Sequence, residues 1–179
     1  MNILLIGYRG SGKTTTGQIL ARRLGCAFAD SDVVLIQRAG KTIKEIFAES
    51  GETGFRDLET AVLKDLLAND HQVLALGGGV ILRDANRTMM QGPNNRIVYL
   101  KAAVEELHRR IHADVATAAN RPSLTALGGG IEEIRSVLAA REPIYQQMAN
   151  CVIDVTAKLP EIVATEIENA VRDMGFRLD

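Results

Sequence analysis

Four short runs along the chain are apolar at every position: Ile3-Leu4-Leu5-Ile6, Val73 to Leu76, Ile97 to Leu100 and Cys151 to Ile153. A strand wetted on one face alternates apolar and polar residues, so unbroken runs predict strands covered on both faces, as in a parallel sheet between helices. A weaker run, Cys26-Ala27-Phe28-Ala29, predicts a fifth strand just before Asp30. Between these runs the apolar spacing is helical over Thr14 to Leu24, Val33 to Arg38, Thr60 to Ala68, Val104 to Ile111, Ile131 to Met148 and Glu161 to Met174. Thr42-Ile43-Lys44-Glu45 has the spacing of a capping box and predicts one more short helix. Strand and helix alternate throughout, which predicts one doubly wound α/β domain over residues 1–179, with a five-stranded parallel sheet flanked by helices. The Ala-, Thr- and Gly-rich segment 113–130 follows neither period and is expected to be a mobile lid.

The first predicted strand runs into Gly7-Tyr8-Arg9-Gly10-Ser11-Gly12-Lys13-Thr14, and a predicted helix opens at its end. This is the Walker A pattern in the strand-loop-helix context that its chemistry requires, and it predicts the P-loop NTPase fold. Glycines let backbone N–H groups close on phosphate oxygens, and the helix N-terminus adds partial positive charge. Gly10, Ser11, Gly12, Lys13, Thr14 and Thr15 are therefore expected to bind the phosphates of ATP, with Lys13 on the β- and γ-phosphates and the Thr14 hydroxyl on Mg²⁺. Arg9 puts a bulky cation inside the loop, facing either substrate or solvent. A regulatory GTPase would also carry an Asn/Thr-Lys-x-Asp segment and an Asp-x-x-Gly switch, and the sequence contains neither string.

Composition narrows the choice further. With 179 residues, 46% of them hydrophobic, the chain can bury one core but has no room for a separate substrate domain, so a second substrate is expected beside the nucleotide. A net charge of −1 without basic blocks argues against a nucleic-acid footprint. The apolar runs fall far short of the roughly 20 residues of a membrane helix. The N-terminus has no basic region, long apolar stretch or small-residue cleavage site, which points to the cytoplasm. Cys26 and Cys151 stand apart in apolar stretches and are expected to be buried thiols. His108 and His112 share one helix face without a third ligand, so an exposed pair is expected rather than a zinc site.

Two further segments lie at carboxyl ends of predicted strands, where open α/β sheets place their ligands. Asp30-Ser31-Asp32 offers one acid to orient magnesium through water and another to accept a hydrogen bond from an attacking hydroxyl; Ser31 or Asp32 would also cap a helix at Val33. Gly77-Gly78-Gly79 allows close backbone approach to a small ligand, where a simple turn would need only one glycine. Gly128-Gly129-Gly130 follows no strand and is assigned to the lid or a helix boundary.

Taken in order, Gly10 to Thr15, Asp30-Ser31-Asp32, Gly54-Phe55-Arg56, Gly77-Gly78-Gly79, Arg121-Pro122 and Arg141-Glu142-Pro143-Ile144-Tyr145 closely resemble the shikimate kinase family over nearly the whole chain. The resemblance implies transfer of the γ-phosphoryl group of ATP to the 3-hydroxyl of shikimate in chorismate and aromatic amino acid biosynthesis. It implies that Arg56 and Arg141 grip the shikimate carboxylate, that Asp32 holds ring hydroxyls, and that Gly77 to Gly79 complete the acceptor pocket. It places Glu59 behind Arg56, Phe47 and Phe55 against the ring, Asp30 and Thr14 at Mg²⁺, and Arg121 on the phosphates at lid closure. Catalysis then rests on Lys13, Asp32 and Arg121, substrate binding centres on residues 31–60, and adenine contacts come from Arg109 or Arg110 and from the segment Thr156 to Pro160, including Lys158. No nucleic-acid or membrane partner is implied, and a monomer is expected. The lid reads Arg121-Pro122-Ser123-Leu124 where the family commonly has Arg-Pro-Leu-Leu, a departure that bears on closure. The rival readings are a gluconate kinase-like enzyme, which Arg56, Arg141 and the glycine triplet oppose, and a silent nucleotide-binding module, which intact Lys13, Asp30, Asp32 and Arg121 oppose.

Overall fold

The computed structural model describes residues 1–113 and 130–175. In chain order the elements are β1 (Asn2–Ile6), α1 (Lys13–Leu24), β2 (Ala27–Asp30), α2 (Ser31–Ala39), α3 (Ile43–Leu67), β3 (Gln72–Ala75), α4 (Asp84–Met90), β4 (Asn95–Lys101), α5 (Val104–Ala113), α6 (Ile131–Met148), β5 (Cys151–Asp154) and α7 (Pro160–Asp173). A single 3-10 turn, Val80–Leu82, follows the glycine triplet. The five strands form one sheet of order β2-β3-β1-β4-β5, every neighbouring pair parallel.

Residues of β1 and β3 are buried throughout, as their unbroken apolar runs predict for a sheet covered on both faces. Leu20, Leu24, Leu63, Leu107, Tyr145 and Ile167 bring the helices onto that sheet in one continuous core. Helix α1 packs against α7, α2 against α3, and α5 against α6. Because β1 neighbours β3 on one side and β4 on the other, the chain reverses direction across the sheet there, and the loops after β1 and β3 open a crevice at their carboxyl ends.

Three boundaries differ from the sequence expectation. The capping box at Thr42 is present, with the Thr42 amide donating to Glu45 and the Glu45 amide to Thr42 Oγ1, and the short helix it starts ends at Gly51, where φ 63° and ψ −170° kink the chain before a second helical stretch runs on to Leu67. That second stretch begins ahead of the expected Thr60, because Gly54 lowers the local propensity and masks its start. Phe55, Arg56, Glu59, Val62 and Leu63 follow its one buried face. Helix α4 is short and polar apart from its paired methionines, with only Asn86 and Met90 buried, so its apolar period is too weak to read. Helix α2 begins directly after β2, and Asp30 rather than Ser31 or Asp32 is its cap, its side chain accepting from the amides of Asp32 and Val33. Cys26 and Cys151 are free but only half-buried at the margin of the core, since Cys26 precedes β2 and Cys151 opens β5.

Candidate active site

The loop from Gly7 to Gly12 turns the chain from β1 into α1. Gly7, Gly10 and Gly12 adopt φ of 142°, 82° and 87°, in the region where a side chain is strained. A Cβ on Gly7 would also lie 2.6 Å from the Leu100 carbonyl oxygen. Among the described residues no side chain caps α1, which leaves its first amides and its positive dipole end turned to an incoming anion. The Lys13 ammonium donates to the carbonyls of Gly7 and Tyr8, each at 2.9 Å, which folds the lysine along the loop.

Across the mouth of the loop, Thr14 Oγ1 donates to Asp30 Oδ2 at 2.6 Å. The other oxygen, Oδ1, accepts from Asp32 N at 3.0 Å and Val33 N at 3.4 Å. One carboxylate thus divides its oxygens: Oδ1 holds the start of α2, and that cap aims Oδ2 at the P-loop. A hydroxyl beside a carboxylate is the hard-oxygen environment that suits Mg²⁺, which binds through few protein ligands and keeps several waters. A cleft of about 300 Å³ is lined by Arg9, Lys13, Thr14, Asp30, Asp32, Gly78 and Arg110, among others.

The glycine triplet reaches this cleft through Gly78. None of its three residues has positive φ, so their role is close approach rather than an unusual turn. A Cβ on Gly77 would meet Asp32 Oδ1 at 2.8 Å and Glu59 Oε1 at 3.1 Å; one on Gly79 would meet the Arg56 guanidinium at 2.4 Å. Gly77 N donates to the buried hydroxyl of Ser31 at 2.9 Å, and the Gly78 carbonyl accepts from both Arg141 and Tyr145. Asp32, Arg56 and Arg141, from α2, α3 and α6, therefore meet on three consecutive residues. Arg56 is 9% exposed and bonded to the buried Glu59 at 2.7 Å, so neither is a solvated helix residue. Burial pushes the Glu59 carboxyl above its ordinary range, while the Arg56 charge pulls it back; Asp32 raises it further and Arg141 lowers it. The four charges thus share one electrostatic neighbourhood. Phe55 is buried, with the Arg56 guanidinium 5.1 Å from its ring centroid, and it stacks on Phe47 at 4.5 Å.

A second cleft lies on the other side of the P-loop, lined by Ser11, Thr15, Arg109, Arg110, Lys158 and Pro160, among others. Glu106 accepts from both arginines, and its carboxyl is held down to about 2, chiefly by the hydrogen bond from Arg109. Arg110 also donates to the Val155 carbonyl at 2.9 Å, and Lys158 pairs with Glu166 at 2.7 Å. The rings of His108 and His112 lie with centroids 4.0 Å apart and planes tilted by 37°, with His112 Nδ1 on the His108 carbonyl, and the described residues include no metal-holding cluster of His, Cys, Asp or Glu. Arg121, Pro122, Ser123, Gly128 and Gly129 lie outside the described residues, as does all of the expected lid except its two ends; Gly130 precedes α6 as its N-cap.

Sequence reasoning offers Ser31 only as a helix cap and Tyr145 only within a motif, and it misses Glu106, because a glutamate within a helix is ordinary. Tyr145 was legible in part, since it follows Arg141 by four residues and must share its helix face.

The shikimate kinase family model matches residues 9–172. The chain belongs to that family. A relative in it, shikimate kinase 2 of Sodalis glossinidius, is 44% identical over 167 residues, which cover 93% of this chain and 94% of the relative. A solved shikimate kinase from Acinetobacter baumannii, in complex with shikimate, superimposes with a TM-score of 0.89 at 35% identity, covering 98% of this chain and 95% of that one. A gluconokinase from Sinorhizobium meliloti gives a TM-score of 0.58 at 14% identity, covering 97% of this chain and 92% of that one, a likeness of fold alone. Family membership sets aside the gluconate kinase-like reading and the silent module.

Proposed function

We propose that this chain transfers the γ-phosphoryl group of ATP to the 3-hydroxyl of shikimate, giving shikimate 3-phosphate and ADP for aromatic amino acid biosynthesis. The observation that carries the reading is the meeting of Asp32, Arg56 and Arg141 on Gly77 to Gly79, beside the loop that holds Lys13 and Thr14. Two guanidinium groups and a carboxylate around bare backbone suit a small ring that bears one carboxylate and several hydroxyls. Arginine forks match a carboxylate bidentately, which lysine cannot do. The family relatives above add independent support.

In this reading Arg56 and Arg141 hold the acceptor carboxylate, with Glu59 fixing the Arg56 fork from behind. Asp32 accepts a hydrogen bond from the 3-hydroxyl and keeps its oxygen in line with the γ-phosphorus. As the new P–O bond forms, the bond to the β-phosphate oxygen breaks, ADP leaves, and the hydroxyl proton passes by way of Asp32 to solvent. Phosphoryl transfer of this kind asks mainly for positioning and charge neutralisation. Gly10, Ser11, Gly12 and Thr15 hold the phosphates through the loop backbone, and Lys13 neutralises the β- and γ-oxygens. Thr14 and Asp30 would hold Mg²⁺, which would supply charge neutralisation at the transferring phosphoryl group. Arg109 and Arg110, with Lys158, line the proposed adenine side; Arg121 and the segment 113–130 are assigned to charge stabilisation and closure. Residues 31–60 supply much of the acceptor side within one kinase domain, and the proposed state is a cytoplasmic monomer. No helix among the described residues is long and apolar enough to cross a membrane.

The test is a coupled assay of ADP release with shikimate, gluconate and nucleoside monophosphates offered separately as acceptors, with and without Mg²⁺. Turnover dependent on shikimate and Mg²⁺ is expected. Comparable turnover on gluconate or a nucleoside monophosphate, or none on shikimate, would overturn the assignment.

A further inference from the structure

Tyr145 is fully buried near the acceptor side without a role in the chemistry described so far. Its ring stacks on Tyr99 of β4, with centroids 5.0 Å apart and planes 24° from parallel. Its hydroxyl donates to the Gly78 carbonyl, the same oxygen that accepts from Arg141 Nη1 at 3.3 Å. The Arg141 charge also acts on the Tyr145 phenol. The two donors thus meet on one carbonyl oxygen between α6 and the glycine triplet. Gly78 lies between this pair and the P-loop: a Cβ there would meet the Gly7 carbonyl oxygen at 3.2 Å and the Tyr145 hydroxyl at 3.5 Å.

We infer that Tyr145 is a positioning residue for the acceptor, which sets the Arg141 guanidinium and the Gly78 backbone in register without touching the acceptor. The inference rests on the assignment of Arg141 to the acceptor carboxylate. Arginine has many rotamers, and a fork useful for a planar carboxylate must be held in one of them. The Gly78 carbonyl is the anchor for Arg141, and the phenol, by donating to the same oxygen, holds that anchor in place. Burial pushes the Tyr145 phenol up to about 12, even though Arg141 pulls it down, so it remains a neutral donor throughout the working range. Its stack on Tyr99, itself buried in the central sheet, fixes the ring against the rigid part of the fold. Phenylalanine at this position would keep the stack and lose only the hydrogen bond to Gly78.

The experiment is a cycle of wild type, Tyr145→Phe, Arg141→Ala and the double variant, with steady-state kinetics on shikimate and ATP. Tyr145→Phe is expected to raise the shikimate KM about tenfold, on the scale of a typical hydrogen-bond loss. Its kcat and ATP KM should stay close to wild type, and it should have no further effect on acceptor kinetics in the Arg141→Ala background. A purely structural role would instead lower kcat in proportion to lost folded enzyme, and that outcome overturns the inference. An unchanged shikimate KM, or effects that multiply independently in the double variant, overturns it as well. The shikimate-induced rise in melting temperature gives a second readout on the folded fraction, expected to be smaller in Tyr145→Phe; an equal rise counts against the inference. A wild type inactive on shikimate would sink the acceptor assignment itself, whereas an active wild type with an indifferent Tyr145→Phe sinks the positioning role alone.

Discussion

Gly79→Ala tests whether the acceptor pocket is built by close approach of arginine to bare backbone. An added methyl carbon would sit 2.4 and 2.5 Å from the two terminal nitrogens of Arg56 and 2.8 Å from its Cζ. Ordinary contact begins near 3.4 Å, so the guanidinium must retreat by about 1 Å. A solvated arginine would do this freely, but Arg56 is held by Glu59 at 2.7 Å, lies near the Phe55 ring and is 9% exposed. Retreat therefore disturbs a buried ion pair, at a stability cost of about 1–3 kcal/mol typical of an overpacked interior. It also moves the fork that the acceptor carboxylate must meet, and a 1 Å misplacement costs about 10²-fold in rate where geometry carries the reaction. The expected result is a fall of about 10² in kcat/KM for shikimate with the ATP KM nearly unchanged, measured by coupled ADP release with each substrate varied in turn. Gly92→Ala is the control, because its Cβ would meet nothing closer than 3.4 Å and it lies at the opposite end of the sheet. A Gly79→Ala enzyme with kcat/KM close to wild type, fully folded by thermal melt, would refute the close-approach argument.

The other expected outcomes follow from individual contacts. Thr14→Val removes the hydroxyl that lies 2.6 Å from Asp30 Oδ2 and should raise the Mg²⁺ concentration for half-maximal activity about tenfold, with Thr14→Ser close to wild type; a metal titration at fixed ATP checks it. Arg121→Ala should lower turnover about 10³-fold, the typical contribution of an arginine that neutralises a transferring phosphoryl group, and near-normal turnover would remove it from the mechanism. Glu106→Gln should raise the ATP KM and leave the shikimate KM alone, because Glu106 holds both Arg109 and Arg110. The sign of its pH effect follows from a folded carboxyl depressed to about 2 against an ordinary 4.5: the stabilisation is fully present above the ordinary value and lost as pH falls towards 2. Urea midpoints of wild type and Glu106→Gln should therefore converge as pH falls through that window, and a constant gap would contradict the assignment.

Sheet, strand number and nucleotide loop were legible because each rests on a local pattern. The apolar runs at Ile3 and Val73 mark buried strands, and Gly7 to Thr14 carries its own glycines and lysine. The capping box at Thr42 was legible for the same reason, since its partners lie three residues apart. On the acceptor side, Asp32 and the glycine triplet were legible from their places at strand ends, whereas Arg56 and Arg141 were legible only through the resemblance to a family, because long stretches of chain separate them and they carry no spacing signal. Burial of Arg56 was invisible in the same way: it depends on Glu59 beneath it and Gly79 opposite, a contact across more than twenty residues that only the fold creates. The start of the second stretch of α3, beyond the Gly51 kink and ahead of Thr60, was hidden by Gly54, where weak local propensity gives way to the packing of Phe55 and Val62.

What joins the two halves of the site is strand register. Leu5 pairs with Ala75, and Ala75 pairs with Asp30, so three strands end at one level. The chain therefore leaves β1 for the P-loop, β3 for the glycine triplet, and β2 for Asp32 within a residue or two of a common line. A further rung, from Leu76 N to the Leu5 carbonyl at 3.0 Å, carries β1 and β3 to the edge of both loops. A slip of one residue would displace one loop by about 3.3 Å, roughly the whole span between reacting atoms in a productive complex. The triplet removes the remaining slack. Gly77 closes on Asp32, Gly78 on the P-loop and Gly79 on Arg56, each approach tighter than an added Cβ would ordinarily keep. In the proposed reaction, backbone as well as side chains would thus set phosphate and acceptor against each other. For a reaction whose barrier falls mainly by alignment and charge neutralisation, a rigid partition one backbone thick has a direct physical use: it lets two separately bound molecules meet at bonding distance without either binding half having to move far.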